Sequence, residues 1–306
     1  MPILVFGHKS PDTDSTGSAL IWAWYLDHMG EPAEARLLGT PNTEALFVAE
    51  RWGFALPPLL DDVDDGQAVV IVDTNNPAEL PRNINRADIR AIIDHHRLVG
   101  GIETKLPIEI TMRPVACTVT LMWQLMGGHG GHAPDAIKGL ALSCILSDTL
   151  EFRSPTTTPA DEALARRLAA DLGIDIPRYA AEMFAAKSDV SRFSDAELLR
   201  MDSKEYSVDG VDFRVSVLET TSPQTVLSRK ASLVESMKDV AREDGADQVL
   251  LFVIDILNEE ATLLVPDALT RQVAERSFGV AVTGDTVVLP GVMSRKKQII
   301  PALKVS

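Results

Sequence analysis

Cysteine is scarce in this chain: two of 306 residues, Cys117 and Cys144. That excludes a disulfide-built scaffold and leaves no cysteine cluster for a thiolate metal site. Both lie in apolar, helix-like stretches and read as small buried hydrophobes. Aromatics are also sparse, at 5%. No apolar run approaches the ~20 residues that a membrane-spanning helix needs, so no membrane partner is expected. Positive charge is short as well. Against 44 Asp and Glu there are 29 Lys and Arg, a net charge of -15. No broad basic face offsets that charge, so nucleic acid is not an expected partner. The start, Met1-Pro2-Ile3-Leu4, lacks a basic stretch followed by an apolar one. No signal peptide is therefore expected, and the expected location is the cytoplasm.

What is present is ordinary for a globular protein: 45% apolar and 24% charged residues. The length suits two domains. In the first half, strand-like runs Ile3 to Phe6, Ala33 to Leu38, Ala68 to Val72 and Ile89 to Ile93 appear. Helical stretches run from Ser15, as N-cap, to Met29 and from Asn42 to Trp52. Such alternation predicts an α/β fold with a parallel sheet covered by helices. The pattern then turns helical: Val115 to Met126, Asp135 to Leu146, Pro159 to Leu172 and Asp175 to Ala186. The glycine-rich stretch Gly127 to His132 follows no strand and reads as a helix connection.

Helical periodicity stops near Lys187 to Arg192. The expected division is therefore a catalytic domain over residues 1–187, a hinge over 188–192 and a smaller α+β domain over 193–306. In the latter, strands are predicted over Val211 to Leu218, Gln248 to Leu257, Leu263 to Val265 and Thr286 to Leu289. Helices are predicted over Pro223 to Arg242 and Ala268 to Phe278.

The chemistry sits just past the strand ends. The first strand runs into Gly7-His8-Lys9-Ser10-Pro11-Asp12-Thr13-Asp14-Ser15, the third into Asp73, and the fourth into Asp94-His95-His96. In a parallel sheet these positions meet at one rim, where open α/β folds bind ligands. Hard oxygen and imidazole donors suit divalent cations of the Mn, Mg and Co kind. Asp148, closing a long apolar stretch, would be costly to bury unpaired, and a metal is one remedy. His8, Asp12, Asp14, Asp73, His95 and Asp148 are too many for one octahedral ion that keeps open positions. Two ions about 3.5–4 Å apart, bridged by carboxylates, fit better. Asp73 and Asp148 are the natural bridges.

Cations concentrate in the second half, in Ser294-Arg295-Lys296-Lys297-Gln298, with Lys204 near the start of that domain. Arg295 can hold phosphate oxygens through two parallel hydrogen bonds, and lysine acts as a point charge.

Together these motifs, with Asp73-Thr74-Asn75-Asn76 and Ser147-Asp148-Thr149, resemble family II inorganic pyrophosphatases of the DHH phosphoesterase superfamily. The strand-end motifs indicate the superfamily, and Ser-Arg-Lys-Lys-Gln narrows it. The resemblance implies hydrolysis of pyrophosphate to two phosphates with two Mn²⁺ or Co²⁺ ions per subunit, and Mg²⁺ as a possible additional, substrate-bound ion. It places one ion on His8, Asp12, Asp73 and Asp148, and the other on Asp14, Asp73, His95 and Asp148. It assigns His96, Lys204, Arg295 and Lys296 to catalysis and phosphate binding. It also implies a homodimer joined through the N-terminal domains, with each active site between its subunit's two domains. A metal-activated hydroxide is the expected nucleophile, and closure about the hinge is expected to assemble the site.

Three positions depart from the family pattern: Ser10, Asn76 and Arg97. Too few residues separate Asp73 from Asp148 for a nucleotide-sensing insert, so adenine-nucleotide control is not expected. The alternative is an exopolyphosphatase or oligonucleotide phosphodiesterase of the same superfamily. Those nucleases carry a C-terminal Gly-Gly-Gly-His-type loop, which this chain lacks.

Overall fold

A computed structural model describes residues 1–305, apart from the side chain of Lys296. The phosphate contact expected of Lys296 therefore falls outside the described side chains. The chain divides into two compact units, Met1–Lys187 and Ser188–Ser306.

In the first unit, β1 (Ile3–Phe6), β2 (Ala33–Ala35), β3 (Ala68–Val72), β4 (Asp88–Asp94) and β5 (Glu109–Met112) form one sheet in the order β2-β1-β3-β4-β5. Every neighbouring pair is parallel. A parallel sheet is covered on both faces, so its inner strands are continuously apolar rather than alternating. Val5, Phe6, Val69, Ile71 and Val72 are accordingly all fully buried. Leu4, Phe6, Val69, Ile71, Ile89 and Ile92 belong to one packed cluster. In this strand order the chain leaves β1 in one direction and resumes at β3 in the other. The carboxyl ends of β1 and β3 therefore flank a crevice.

The covering helices are α1 (Thr13–His28), α2 (Thr43–Trp52), α3 (Thr118–Met126), a single turn α4 (Gly128–Gly131), α5 (Asp135–Thr149), α6 (Pro159–Leu172) and α7 (Ile176–Lys187). A Cβ on Gly17 would lie 2.2 Å from the Cys144 sulfur, so glycine is what lets α1 lie against α5. The N-cap of α1 is Asp12, not Ser15: the Asp12 carboxylate accepts from the Ser15 amide at 2.9 Å. Asn42 caps α2 as expected, accepting from the Ala45 amide at 2.8 Å. Helix α5 stops abruptly. Leu150, Glu151 and Phe152 have φ of 48°, 55° and 69°, three successive non-glycine residues in the left-handed region.

Two sequence expectations change here. Strand β2 ends at Ala35 because the chain leaves the sheet and Leu37 instead bridges Leu59. Strand β5 lacks a legible pattern because it is a short, half-exposed edge.

The second unit holds a mixed sheet in the order β10-β9-β8-β7-β6. Its strands are β6 (Ser203–Val208), β7 (Val211–Thr220), β8 (Gln248–Asp255), β9 (Glu260–Leu264) and β10 (Thr286–Pro290). β7 and β8 are parallel and the other pairs antiparallel. Its helices are α8 (Asp195–Met201), α9 (Gln224–Leu227), α10 (Lys230–Asp244), α11 (Ala268–Phe278) and α12 (Ile300–Ala302). One apolar cluster packs α11 residues on the sheet and the other packs those of α8 and α10. The single helix expected over Pro223 to Arg242 is broken at Ser228-Arg229. The Arg229 guanidinium there donates to the carbonyls of Val190 and Phe193 at 2.9 and 2.8 Å. Strand β6 and helix α8 carry no clear periodicity and are seen only in the structure.

Candidate metal centre

The centre begins where β1 ends. Gly7 is required there: a Cβ would meet the Ser15 hydroxyl at 2.0 Å. That close approach lets the His8 amide donate to Ser15 Oγ at 3.1 Å. His8 Nε2 is thereby brought within 3.8 Å of Asp12 Oδ1 and 3.5 Å of Asp73 Oδ2. Asp73 follows β3 in a left-handed conformation, φ 56°, and its amide donates to the Ile93 carbonyl at 2.9 Å. A non-glycine residue held there is strained, and such strain clusters at functional sites.

The other Asp73 oxygen, Oδ1, faces His95 Nε2 at 3.4 Å. His95 Nδ1 lies 3.1 Å from the Val115 carbonyl. That bond makes Nδ1 the donor and leaves Nε2 as a ligand atom, the usual arrangement for a metal-binding imidazole. Asp73 thus has one oxygen towards each histidine, as a bridging carboxylate requires. Asp14 is buried beside it, with Oδ2 accepting from the Thr118 amide at 2.7 Å and Oδ1 from Ser18 Oγ at 3.1 Å. Asp148 comes from the last turn of α5. Its Oδ2 is buried and has no hydrogen-bond partner.

Three groups place their ligand atoms within 4.8 Å of one another: His8, Asp12 and Asp73; Asp73, His95 and His96; and Asp14, Cys117 and Asp148. All six predicted ligands occur in these groups. The donors are mainly carboxylate and imidazole, as Mn²⁺ prefers. A buried carboxylate oxygen with no hydrogen-bond partner, Asp148 Oδ2, is suited to a cation. These residues fit the metal.

The electrostatics point the same way. Burial pushes the Asp14 and Asp148 carboxyls up, Asp148 far, and the negative charge of Asp73 adds to both shifts. Burial alone would lower His8 and His95. Hydrogen bonding to Asp73 and the surrounding carboxylates outweigh it, raising His8 to about 8 and His95 to about 9.

His96 is set differently. Asp94, the last residue of β4, is fully buried and accepts from the His96 amide at 3.0 Å and from His96 Nδ1 at 2.9 Å. Asn75 donates to its other oxygen. The His96 side chain is 53% exposed, so its Nε2 is free to meet a ligand. Beside it lies a recess of about 340 Å³ lined by His8, Ser10, Asn76, Glu79, His96 and Arg97 among others. The three departures from the family pattern all face this recess. The Glu79 carboxylate accepts from Thr74 Oγ1 at 2.7 Å.

In the second unit, Lys204 is exposed on β6. Arg295 opens a π-helical turn, Arg295–Ile299, whose last residue is fully buried in the core. Its guanidinium donates to the carbonyl and the carboxylate of Asp202, each at 2.7 Å. The basic triplet is thus part of an ordered segment, and Arg295 is held two residues before Lys204.

Sequence reasoning missed Cys117 and Thr118. The Cys117 thiol donates to Asp14 Oδ1 at 3.2 Å, and Thr118 Oγ1 donates to Asp73 Oδ1 at 3.0 Å. Cys117 is therefore buried as expected but more than a hydrophobe. Burial and the charges of Asp14 and Asp148 push its thiol well up, so it stays protonated. Their partners are 103 and 45 residues away in sequence, and no local pattern could reveal them.

A model of the DHH family N-terminal domain matches residues 2–147, and a DHHA2 domain model matches 181–305. The "Probable manganese-dependent inorganic pyrophosphatase" of Deinococcus radiodurans is 39% identical over 99% of this chain and 98% of its own. The protein of the same name from Lactobacillus helveticus is 32% identical over 98% and 96%. Among solved structures, the "Methanococcus jannaschii putative family II inorganic pyrophosphatase" aligns with a TM-score of 0.61 and 33% identity. That alignment covers 99% of this chain and 98% of the other. An exopolyphosphatase-related protein from Bacteroides fragilis, at 14% identity and a TM-score of 0.52, shares the fold alone.

Proposed function

The chain belongs to the manganese-dependent inorganic pyrophosphatases, built from DHH and DHHA2 domains, and we infer from this that it hydrolyses inorganic pyrophosphate to two phosphates. The observation that carries the reading is Asp73, with one oxygen towards His8 and the other towards His95. That arrangement supports a reading with two ions per subunit. His8, Asp12, Asp73 and Asp148 hold one, and Asp14, Asp73, His95 and Asp148 the other. Mn²⁺ is the resident metal, Co²⁺ substitutes for it, and Mg²⁺ arrives with substrate.

Bound in this way, the metals supply Lewis acidity and bring a water's pKa down towards neutrality. The protein supplies the rest. His96, oriented by Asp94, donates a hydrogen bond to a phosphate oxygen. Arg295, Lys296 and Lys204 neutralise charge on the transferred and leaving phosphates. Arg295 would exchange its bonds to Asp202 for bonds to phosphate. Burial of Asp14 and Asp73 strengthens each charge interaction at the centre.

The partner is pyrophosphate, not nucleic acid, consistent with the net charge of -15. No helix among the described residues is long and apolar enough to cross a membrane. The site of action is the cytoplasm. The protein acts as a homodimer through the N-terminal unit. Strand β5 supports this reading, since it is an open sheet edge with Ile110 53% exposed.

Phosphate release with Mn²⁺ from pyrophosphate, tripolyphosphate and a short oligonucleotide, measured side by side, tests the substrate assignment. Release from pyrophosphate alone is expected. Preferred release from tripolyphosphate or the oligonucleotide would overturn it.

A further inference from the structure

Glu44, on α2, has a fully buried carboxylate that no step above uses. One of its oxygens, Oε2, makes all of its contacts. It accepts from Thr13 Oγ1 at 2.8 Å and from Ser147 Oγ at 2.6 Å, and it pairs with Lys187 Nζ at 3.3 Å. The other oxygen is buried without a partner. An uncompensated buried carboxylate is costly, so this one is held in place by those three contacts.

The contacts fall at particular places. Thr13 lies between Asp12 and Asp14, and Ser147 precedes Asp148. A single oxygen atom therefore joins the turn that starts α1 to the turn that ends α5, the two segments supplying three of the six metal ligands. Lys187 closes the arrangement, with its ammonium also 3.4 Å from Ser147 Oγ. Lys187 is the last residue of the first unit.

We propose that Glu44 is a positioning residue of the metal centre. It sets the separation of Asp12 and Asp14 from Asp148 by gripping the residue next to each, with Lys187 as its counter-ion. The inference rests on the metal-dependent reading above. Without Glu44, the two turns keep their own helices but lose the tie between them, and the ligands must be gathered by the cation itself. Partners that orient metal ligands are worth on the order of 10–100-fold in metal affinity or activity.

The test is Mn²⁺ binding to metal-free protein by titration calorimetry, with the melting temperature of the same metal-free sample. Glu44→Ala should weaken Mn²⁺ binding by about 10–100-fold. Glu44→Gln keeps an acceptor oxygen for both hydroxyls and should recover part of that loss. Ser147→Ala breaks only one arm and should weaken binding less, which guards against Glu44→Ala failing to fold. A purely structural Glu44 would lower the melting temperature in all three variants while leaving the Mn²⁺ affinity of the folded protein unchanged, and that result would overturn the proposal. Because binding is read without substrate, wild-type protein that binds Mn²⁺ but does not split pyrophosphate would sink the functional reading and leave this one standing.

Discussion

The hydroxyl of Thr118 donates to Asp73 Oδ1 at 3.0 Å, fixing the oxygen that also faces His95. The same residue's amide holds Asp14. Thr118 thus governs two ligands without being one. Replacing it with valine keeps the shape and the amide but removes the hydroxyl. Thr118→Val should weaken Mn²⁺ binding by about tenfold or more and cost about 1 kcal/mol of stability. Thr118→Ser should restore both, as followed by metal titration and thermal melting.

Asp73→Asn removes the bridging charge while preserving size. Lewis-acid stabilisation is worth several kcal/mol, so pyrophosphate turnover should fall by about a thousandfold or more. Turnover near the wild-type rate, with Mn²⁺ affinity intact, would end the bridging assignment.

Stability without metal should depend on pH in a definite direction. His8 and His95 are raised above 6.5, to about 8 and about 9. Their contribution is complete below pH 6.5 and is lost as pH rises through those two values. Asp14 and Asp148 are raised too, and so they also favour the folded state less as pH rises. Metal-free protein should therefore melt at a lower temperature at pH 9 than at pH 6.5. Added Mn²⁺ should raise the melting temperature more at pH 9, where fewer protons compete for its ligands. Equal Mn²⁺ stabilisation at both values would contradict the protonation scheme.

Arg295→Lys keeps the charge but loses the planar fork. Charge-assisted hydrogen bonds contribute about 1.5–3 kcal/mol, so KM for pyrophosphate should rise by about tenfold or more, with Mn²⁺ affinity unchanged. Steady-state kinetics with a parallel metal titration separates the two effects.

Much of this centre was legible in the sequence because ligands at strand ends need only a local pattern. His8, Asp73 and His95 each follow a short apolar run, and a parallel sheet brings such positions together. What supports them was not legible. Thr118, Cys117 and Glu44 reach their hydrogen-bond partners from 31 to 104 residues away, through packing of α2 and α3 that no periodicity encodes. Ser15 misled for a related reason. A serine before a helical pattern suits an N-cap, but Asp12 took that place and freed the Ser15 hydroxyl for the His8 amide. Strands β5 and β6 were missed because exposed edges need not be apolar.

The left-handed turn over Leu150, Glu151 and Phe152 bears on how the chain can vary in length. It reverses the winding directly after Asp148 and returns at once to α5, where the Glu151 amide donates to the Leu146 carbonyl. An added or deleted residue there would break that return contact just behind Asp148, whatever its chemical character. Length changes should instead be borne by the exposed residues 103–106, which carry no ligand.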